Sequence, residues 1–313
     1  MEPKLRLNTS VDSSSTSGYL FVTGSTAAAG LATVLGKLNL EAVSPLTMNC
    51  LIFSVAALIL GLWLLPRRGF KAVFRLSARG WLWMSLFALS SWCAIFLFWA
   101  GVQKMDPSLA AFLNRSEVPV AILLAVLLLR ERLNRWEVVG AALSIGGIFI
   151  MRATMRIEYT EGFWLVLSGS FLFGLTELFS KIAIRHVEPT LLTFLRNLSM
   201  AVLYWLVFLS GTGDLQGVDL VWPGIIALGI VGPILSRVNY MQALKRMELT
   251  KVAVISQGQP VFVILIALVF FRHLPSLREM LGGIILTFGC LIMVYARTRK
   301  ETPTVLIVSE REL

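Results

Sequence analysis

One segment of this chain occurs twice. MDPSLAAFLNRSEVPVAILLAVLLLRERLNRWEVVGAALSIGGIFIM, from Met105 to Met151, returns as MELTKVAVISQGQPVFVILIALVFFRHLPSLREMLGGIILTFGCLIM, from Met247 to Met293. Pro119-Val120 is answered by Pro260-Val261, and Glu137, Gly140 and Gly147 by Glu279, Gly282 and Gly289. Each copy holds two apolar segments on either side of a short charged hinge, the first hinge being Arg130 to Arg135. At 1.5 Å per helical residue, each segment is about long enough to cross a hydrocarbon core roughly 30 Å thick. The chain is therefore read as two copies of one membrane-crossing unit.

Composition agrees, because 57% hydrophobic and 15% charged residues, with a mean hydropathy of +0.78, leave too few polar groups to coat a soluble globule. The formal charge of +10 does not indicate nucleic acid, since the basic residues lie in short runs between apolar spans, where they set orientation in a bilayer. Cys50, Cys93 and Cys290 stand alone in apolar spans, with neither C-x-x-C nor Cys/His spacing, so the sequence supports neither a zinc site nor a disulfide framework and they read as packing or lipid-facing residues. The Ser-rich residues 1–17 lack the basic start and small-residue cleavage site of a signal peptide, so the first apolar run is expected to stay as a helix.

Apolar runs bounded by charge, Gly and Pro predict helices over 18–36, 45–65, 80–102, 108–129 and 136–151. A second set follows over 162–185, 189–210, 221–245, 250–271 and 277–296. The first members of each set also match at one offset: Gly18 with Gly162, Gly30 with Gly174, Lys37 with Lys181, Pro45 with Pro189. The expected fold is an all-α integral membrane protein, with ten transmembrane helices in two inverted five-helix repeats. An odd number of crossings per repeat makes the second copy enter from the opposite face. The divisions are a tail at 1–17, a first repeat at 18–151, a linker at 152–161, a second repeat at 162–297 and a tail at 298–313. With both termini inside, eighteen basic residues fall on inner segments and six on outer ones, namely Lys37, Lys104, Arg152, Arg156, Arg272 and Arg278. That bias predicts cytoplasmic termini in a cell membrane.

The doubled Pro-Val helix, the exit Leu129-Arg130-Glu131-Arg132-Leu133 and the Gly-rich helix after it resemble the EamA family of the drug/metabolite transporter superfamily. The resemblance covers residues 18–297. It implies two inverted five-helix repeats around a central cavity, with small organic metabolites such as amino acids as typical cargo. Two departures stand out: Arg272 occupies the place that would answer Glu131, and the second helix lacks the arginine that the seventh carries as Arg196.

Charges at mid-membrane need a reason, since each costs about 2.5–3.5 kcal/mol even on lenient scales. On the fourth helix Arg115 and Glu117, two apart, should point about 200° apart, so at least one is expected to find its partner on another helix. Pro119 has no N–H and frees the carbonyl of Arg115, and Pro260 frees that of Ser256, so both are expected helix kinks lining a cavity, with Pro233 a third kink. Glu177 and Lys181, at i,i+4, have the order of a helical ion pair. Arg196, Arg237, Asn239 and Tyr240 add polar groups on the seventh and eighth helices, and Gln257 and Gln259 flank Gly258 on the ninth. Arg115, Glu117, Glu177, Arg196, Arg237, Asn239, Tyr240, Gln257 and Gln259 are the candidate substrate-binding residues. Bonding between helices is the structural alternative for each.

The pattern points to a secondary transporter, expected to export a small organic metabolite such as an amino acid or organic anion by alternating access. The excess of deep arginines over glutamates tilts the cargo towards a carboxylate or phosphate, unless Arg–Glu pairing cancels it. An integral membrane enzyme or a channel is the alternative, but His186 and His273 sit at span ends and no D-D-x-x-D or metal-ligand cluster is present. Without a P-loop, no ATP use and no cofactor is expected, and the partners are the cargo and the lipid bilayer. Glu177 is the candidate for proton exchange, because Lys181 can withdraw to the surface.

Overall fold

The computed structural model describes residues 13–68, 76–129, 134–247, 249–272 and 275–301. The hinge at Arg130–Leu133 with Glu131, His273 and the expected terminal tails up to residue 12 and from residue 302 lie outside the described residues. Among the described residues helices follow one another without strands: α1 Ser13–Asn39, α2 Pro45–Arg68, α3 Ala78–Gln103, α4 Pro107–Asn114, α5 Glu117–Leu129 and α6 Arg135–Thr154. After a 3-10 turn at Ile157–Tyr159 come α7 Thr160–Ala183, α8 Pro189–Val207, α9 Val218–Ile230, α10 Arg237–Arg246, α11 Leu249–Ser256, α12 Gln259–Phe271 and α13 Leu277–Glu301.

Local chemistry starts several of these. Asp106 accepts the N–H groups of Ser108 and Leu109, Glu188 those of Thr190 and Leu191, and Ser77 that of Gly80, each oxygen meeting donors that have no partner in a first helical turn. Pro107 and Pro189 follow their caps at the position where a missing N–H does no harm.

Nine helical stretches among the described residues are long and apolar enough to cross a membrane. The fourth crossing is the broken pair α4 and α5, of 8 and 13 residues, where the sequence predicted one helix over 108–129. The ninth breaks likewise between α11 and α12. The eighth runs from α9 through a π-helical turn, Val231–Ser236, into α10, so Pro233 widens that helix rather than ending it. Exposed Leu127, Phe149, Leu206 and Val269 ring the bundle as lipid-facing side chains.

Glycines set the closest contacts, as expected where lipid removes the hydrophobic drive and close backbone approach must supply cohesion. A Cβ on Gly140 would sit 2.7 Å from the Gly289 carbonyl oxygen, and one on Gly147 would sit 2.7 Å from that of Gly282. Gly140 is the repeat equivalent of Gly282 and Gly147 of Gly289, so exchanging the repeats turns the contact Gly140–Gly289 into the contact Gly282–Gly147, which is what a two-fold relation between them requires. The first and sixth crossings show the same relation. Gly30 lies against the Val263 N–H of α12, and its equivalent Gly174 against the Ala121 N–H of α5.

At one end of the bundle, Lys37 Nζ donates to the carbonyls of Val102 and Gln103 at 2.9 and 2.8 Å, Thr47 donates to the Asp214 carbonyl at 2.6 Å, and Lys104 pairs with Glu161. At the other, the buried Glu137 accepts the Asn134 N–H at 2.6 Å and meets Arg297 at 3.2 Å. Glu137→Ala is expected to cost at least about 1 kcal/mol, the usual worth of a helix cap. Thermal unfolding in detergent checks this, and an unchanged midpoint would contradict it.

Candidate functional site

The two broken crossings meet at the centre, and their prolines account for the breaks. Pro119 is the third residue of α5 and Pro260 the second of α12, so neither supplies the N–H that the carbonyl four residues before it would take. The carbonyl of Arg115 instead accepts the Val118 N–H at 3.1 Å and the Cys290 thiol at 3.3 Å. That of Ser256 accepts Arg115 Nη1 at 3.2 Å. Both freed carbonyls thus have partners within the protein, where the sequence suggested that they line a cavity.

Arg115 is the staple between the breaks. Its Nη2 donates to Gln259 Oε1 at 2.7 Å and lies 3.3 Å from Glu117 Oε1, and Gln259 Nε2 donates in turn to Thr33 Oγ1 of α1 at 3.4 Å. The pairing of Arg115 with Glu117 corrects the expectation that they point apart. That expectation assumes a continuous helix, and the helix stops between them at Arg115 and Ser116.

A second pair lies alongside, because Gly174 lets α7 pack directly on α5. Glu177 Oε1 meets Arg237 Nη1 at 3.2 Å, and Glu117 lies within the electrostatic field of both. This replaces the expected pair with Lys181, which is exposed: an ammonium near a span end extends towards water, leaving Glu177 to a guanidinium held at depth. The π-helical turn ends at Ser236, so Arg237 opens α10 facing α7. Its guanidinium lies 5.5 Å from the centre of the Phe87 ring and 5.4 Å from that of Tyr240, the residue one turn on.

Arg196 also lies over the Phe87 ring, at 5.3 Å, and over that of Phe53 at 5.9 Å. Its Nε donates to Ser91 Oγ at 2.9 Å and its Nη1 to Asn197 Oδ1 at 3.2 Å, while Asn197 reaches the Pro233 carbonyl at 3.5 Å. Among the described residues no carboxylate pairs with Arg196. So the structure brings together Arg115, Glu117 and Gln259, then Glu177, Arg237 and Tyr240, with Arg196 over the same Phe87 ring as Arg237. Asn239 and Gln257 stand apart. The Asn239 amide lies 3.5 Å from the place a Cβ on Gly24 would take, packed on α1, and Gln257 is buried with its Oε1 unpartnered.

Phe53, Phe87, Ser91 and Thr33 belong to this centre and were not marked by the sequence, where an apolar or small residue in an apolar helix carries no signal. A pocket of about 380 Å³ opens at the Lys37 end, lined among others by Lys37, Gln103, Asp106, Tyr159 and Phe271. No group of three or more His, Cys, Asp or Glu among the described residues could hold a metal.

The chain is similar to known proteins in sequence and in fold. The sequence profile of the EamA-like transporter family matches twice, over residues 16–153 and 160–295. An uncharacterized transporter of Synechocystis is 21% identical over 232 residues, covering 70% of this chain and 66% of that protein, so the match spans a little under two thirds of the relative. A solved crystal structure superposes with a TM-score of 0.62 at 20% identity, over 91% of this chain and 99% of the other, which is a likeness of fold.

Proposed function

Because the chain belongs to the EamA-like transporter family, a group of multi-pass membrane proteins, we propose that it is a secondary transporter exporting a small organic metabolite, an amino acid or organic anion, by alternating access. The observation that carries this reading is the crossing of two proline-broken helices, one from each repeat, at a centre holding Arg115, Glu117, Glu177, Arg196 and Arg237. Repeats related by a two-fold can exchange roles, so that contacts closed at one end open as their counterparts close at the other. Lys37 is tied to its carbonyl partners at the end where the pocket opens, whereas Lys181, its repeat counterpart, is exposed at the Glu137 end.

That end is assigned to the cytoplasm, in a cell membrane, on the distribution of basic residues. A reporter fused after Leu313 should read as internal, and an external reading would contradict the orientation. Uptake into liposomes holding the purified protein, with amino acids, nucleosides, organic phosphates and organic cations as the panel, tests the function. Saturable movement of a metabolite is expected, and a panel that moves no faster than in empty liposomes would refute it.

Glu177 is assigned the coupling proton. It is the more accessible of the two central carboxylates, with its side chain 33% exposed against 19% for Glu117. Glu177→Gln should abolish accumulation driven by a proton gradient yet spare exchange of cargo for cargo. Equal loss of both, or of neither, would place the proton elsewhere.

A further inference from the structure

Of the two arginines that face Phe87, Arg237 has a feature that its pair with Glu177 does not explain. Glu177 uses Nη1, while Nε and Nη2 are buried and without a hydrogen-bond partner. Nε and Nη2 form the side edge of the guanidinium, whose two parallel N–H groups match the two oxygens of a carboxylate. Buried donors in a native fold have partners as a rule, so an unpaired fork in a polar centre calls for an acceptor.

The charges point the same way. Arg115 is matched by Glu117 and Arg237 by Glu177, whereas Arg196, at 5.3 Å from Phe87, has only Ser91 and Asn197 as neutral partners. Pairing therefore cancels two of the three central arginines and leaves one positive charge over. A single carboxylate balances that excess, and a dianionic phosphate overshoots it. Both guanidiniums lie over the Phe87 ring, so an anion drawn to either lies in the field of the other.

We propose that the Nε–Nη2 edge of Arg237, backed by the uncompensated charge of Arg196 over the same Phe87 ring, is the docking point for a carboxylate of the transported molecule. This rests on the transporter reading and narrows it: the cargo must carry a carboxylate, while an amine is optional. Glu177 and the cargo carboxylate then occupy different edges of one guanidinium, so the cargo binds without expelling Glu177.

The test varies the ligand first, since that requires no altered protein. Liposomes holding the intact chain are offered amino acids, the corresponding 2-oxo acids, the amino-acid amides and the decarboxylated amines. Amino acids and oxo acids should move or compete, with amides and amines weaker by about ten- to a hundredfold, the worth of one charged hydrogen-bonded contact. Arg237→Lys keeps the charge and loses the fork, and should erase the preference for the acid over its amide. Arg196→Gln should weaken the acids more than the amides. Amides or amines handled as well as acids, or an undiminished acid preference in Arg237→Lys, would overturn the proposal. If only neutral or cationic members move, the subsite is refuted and the carrier stands; if nothing moves, both fall.

Discussion

Arg115→Met is expected to destabilise the protein by about 3–5 kcal/mol, the range for removing one member of a buried ion pair. Arg115 is 4% exposed, and it holds Glu117, the Gln259 side chain and the Ser256 carbonyl at once. Its loss strands a carboxylate at mid-membrane, reopens the carbonyl that Pro260 releases, and unties the first repeat from the second. A double substitution separates these effects. Glu117→Gln in the Arg115→Met background removes the stranded charge, so the double variant should unfold at a higher temperature than Arg115→Met alone. Thermal unfolding in one detergent checks it. If the two single losses simply add, the pair contributes nothing and the breaks are held by packing.

Gly147→Leu is expected to prevent the fold from assembling, while Gly146→Leu next to it is tolerated. Around a Cβ at Gly147 the near atoms are backbone, including the Gly282 carbonyl oxygen at 2.7 Å and Leu286 Cα at 2.8 Å, which have no rotamer to yield. Around Gly146 nothing lies within 4 Å. Overpacking costs about 1–3 kcal/mol where side chains can shift, and this contact, where α6 and α13 must part, belongs at or above the top of that range. The recovery of monodisperse protein in detergent separates the two variants. Equal recovery would show that the α6–α13 contact is looser than the geometry requires.

The glycines explain why so much of the fold was legible. Gly30 with Gly174, Gly140 with Gly282 and Gly147 with Gly289 are positions where two backbones touch, and a residue fixed by backbone contact leaves its mark at matching places in both repeats. The prolines are legible for a similar reason, because a missing N–H acts locally whatever surrounds it. The centre was less legible. Pairing Arg237 with Glu177 depends on how a π-helical turn rotates α10, and no spacing within one helix encodes that rotation. The i,i+4 spacing of Glu177 and Lys181 misled for the same reason. A helical neighbour is always available on paper, but the deeper residue takes the partner that another helix holds at its depth. Phe87 was invisible altogether, since its role lies in the arginines over it.

The central claim is that one site, between the two repeats, faces the two sides of the membrane in turn. Counterflow tests it most directly. Liposomes containing the purified protein are loaded with an excess of an unlabelled transported metabolite, diluted into trace labelled metabolite, and followed without any ion gradient. The account predicts transient accumulation of label above its external concentration, because a carrier that returns loaded exchanges cargo faster than it returns empty. Label that only equilibrates, at a rate indifferent to the internal metabolite, would mark a channel and contradict the account.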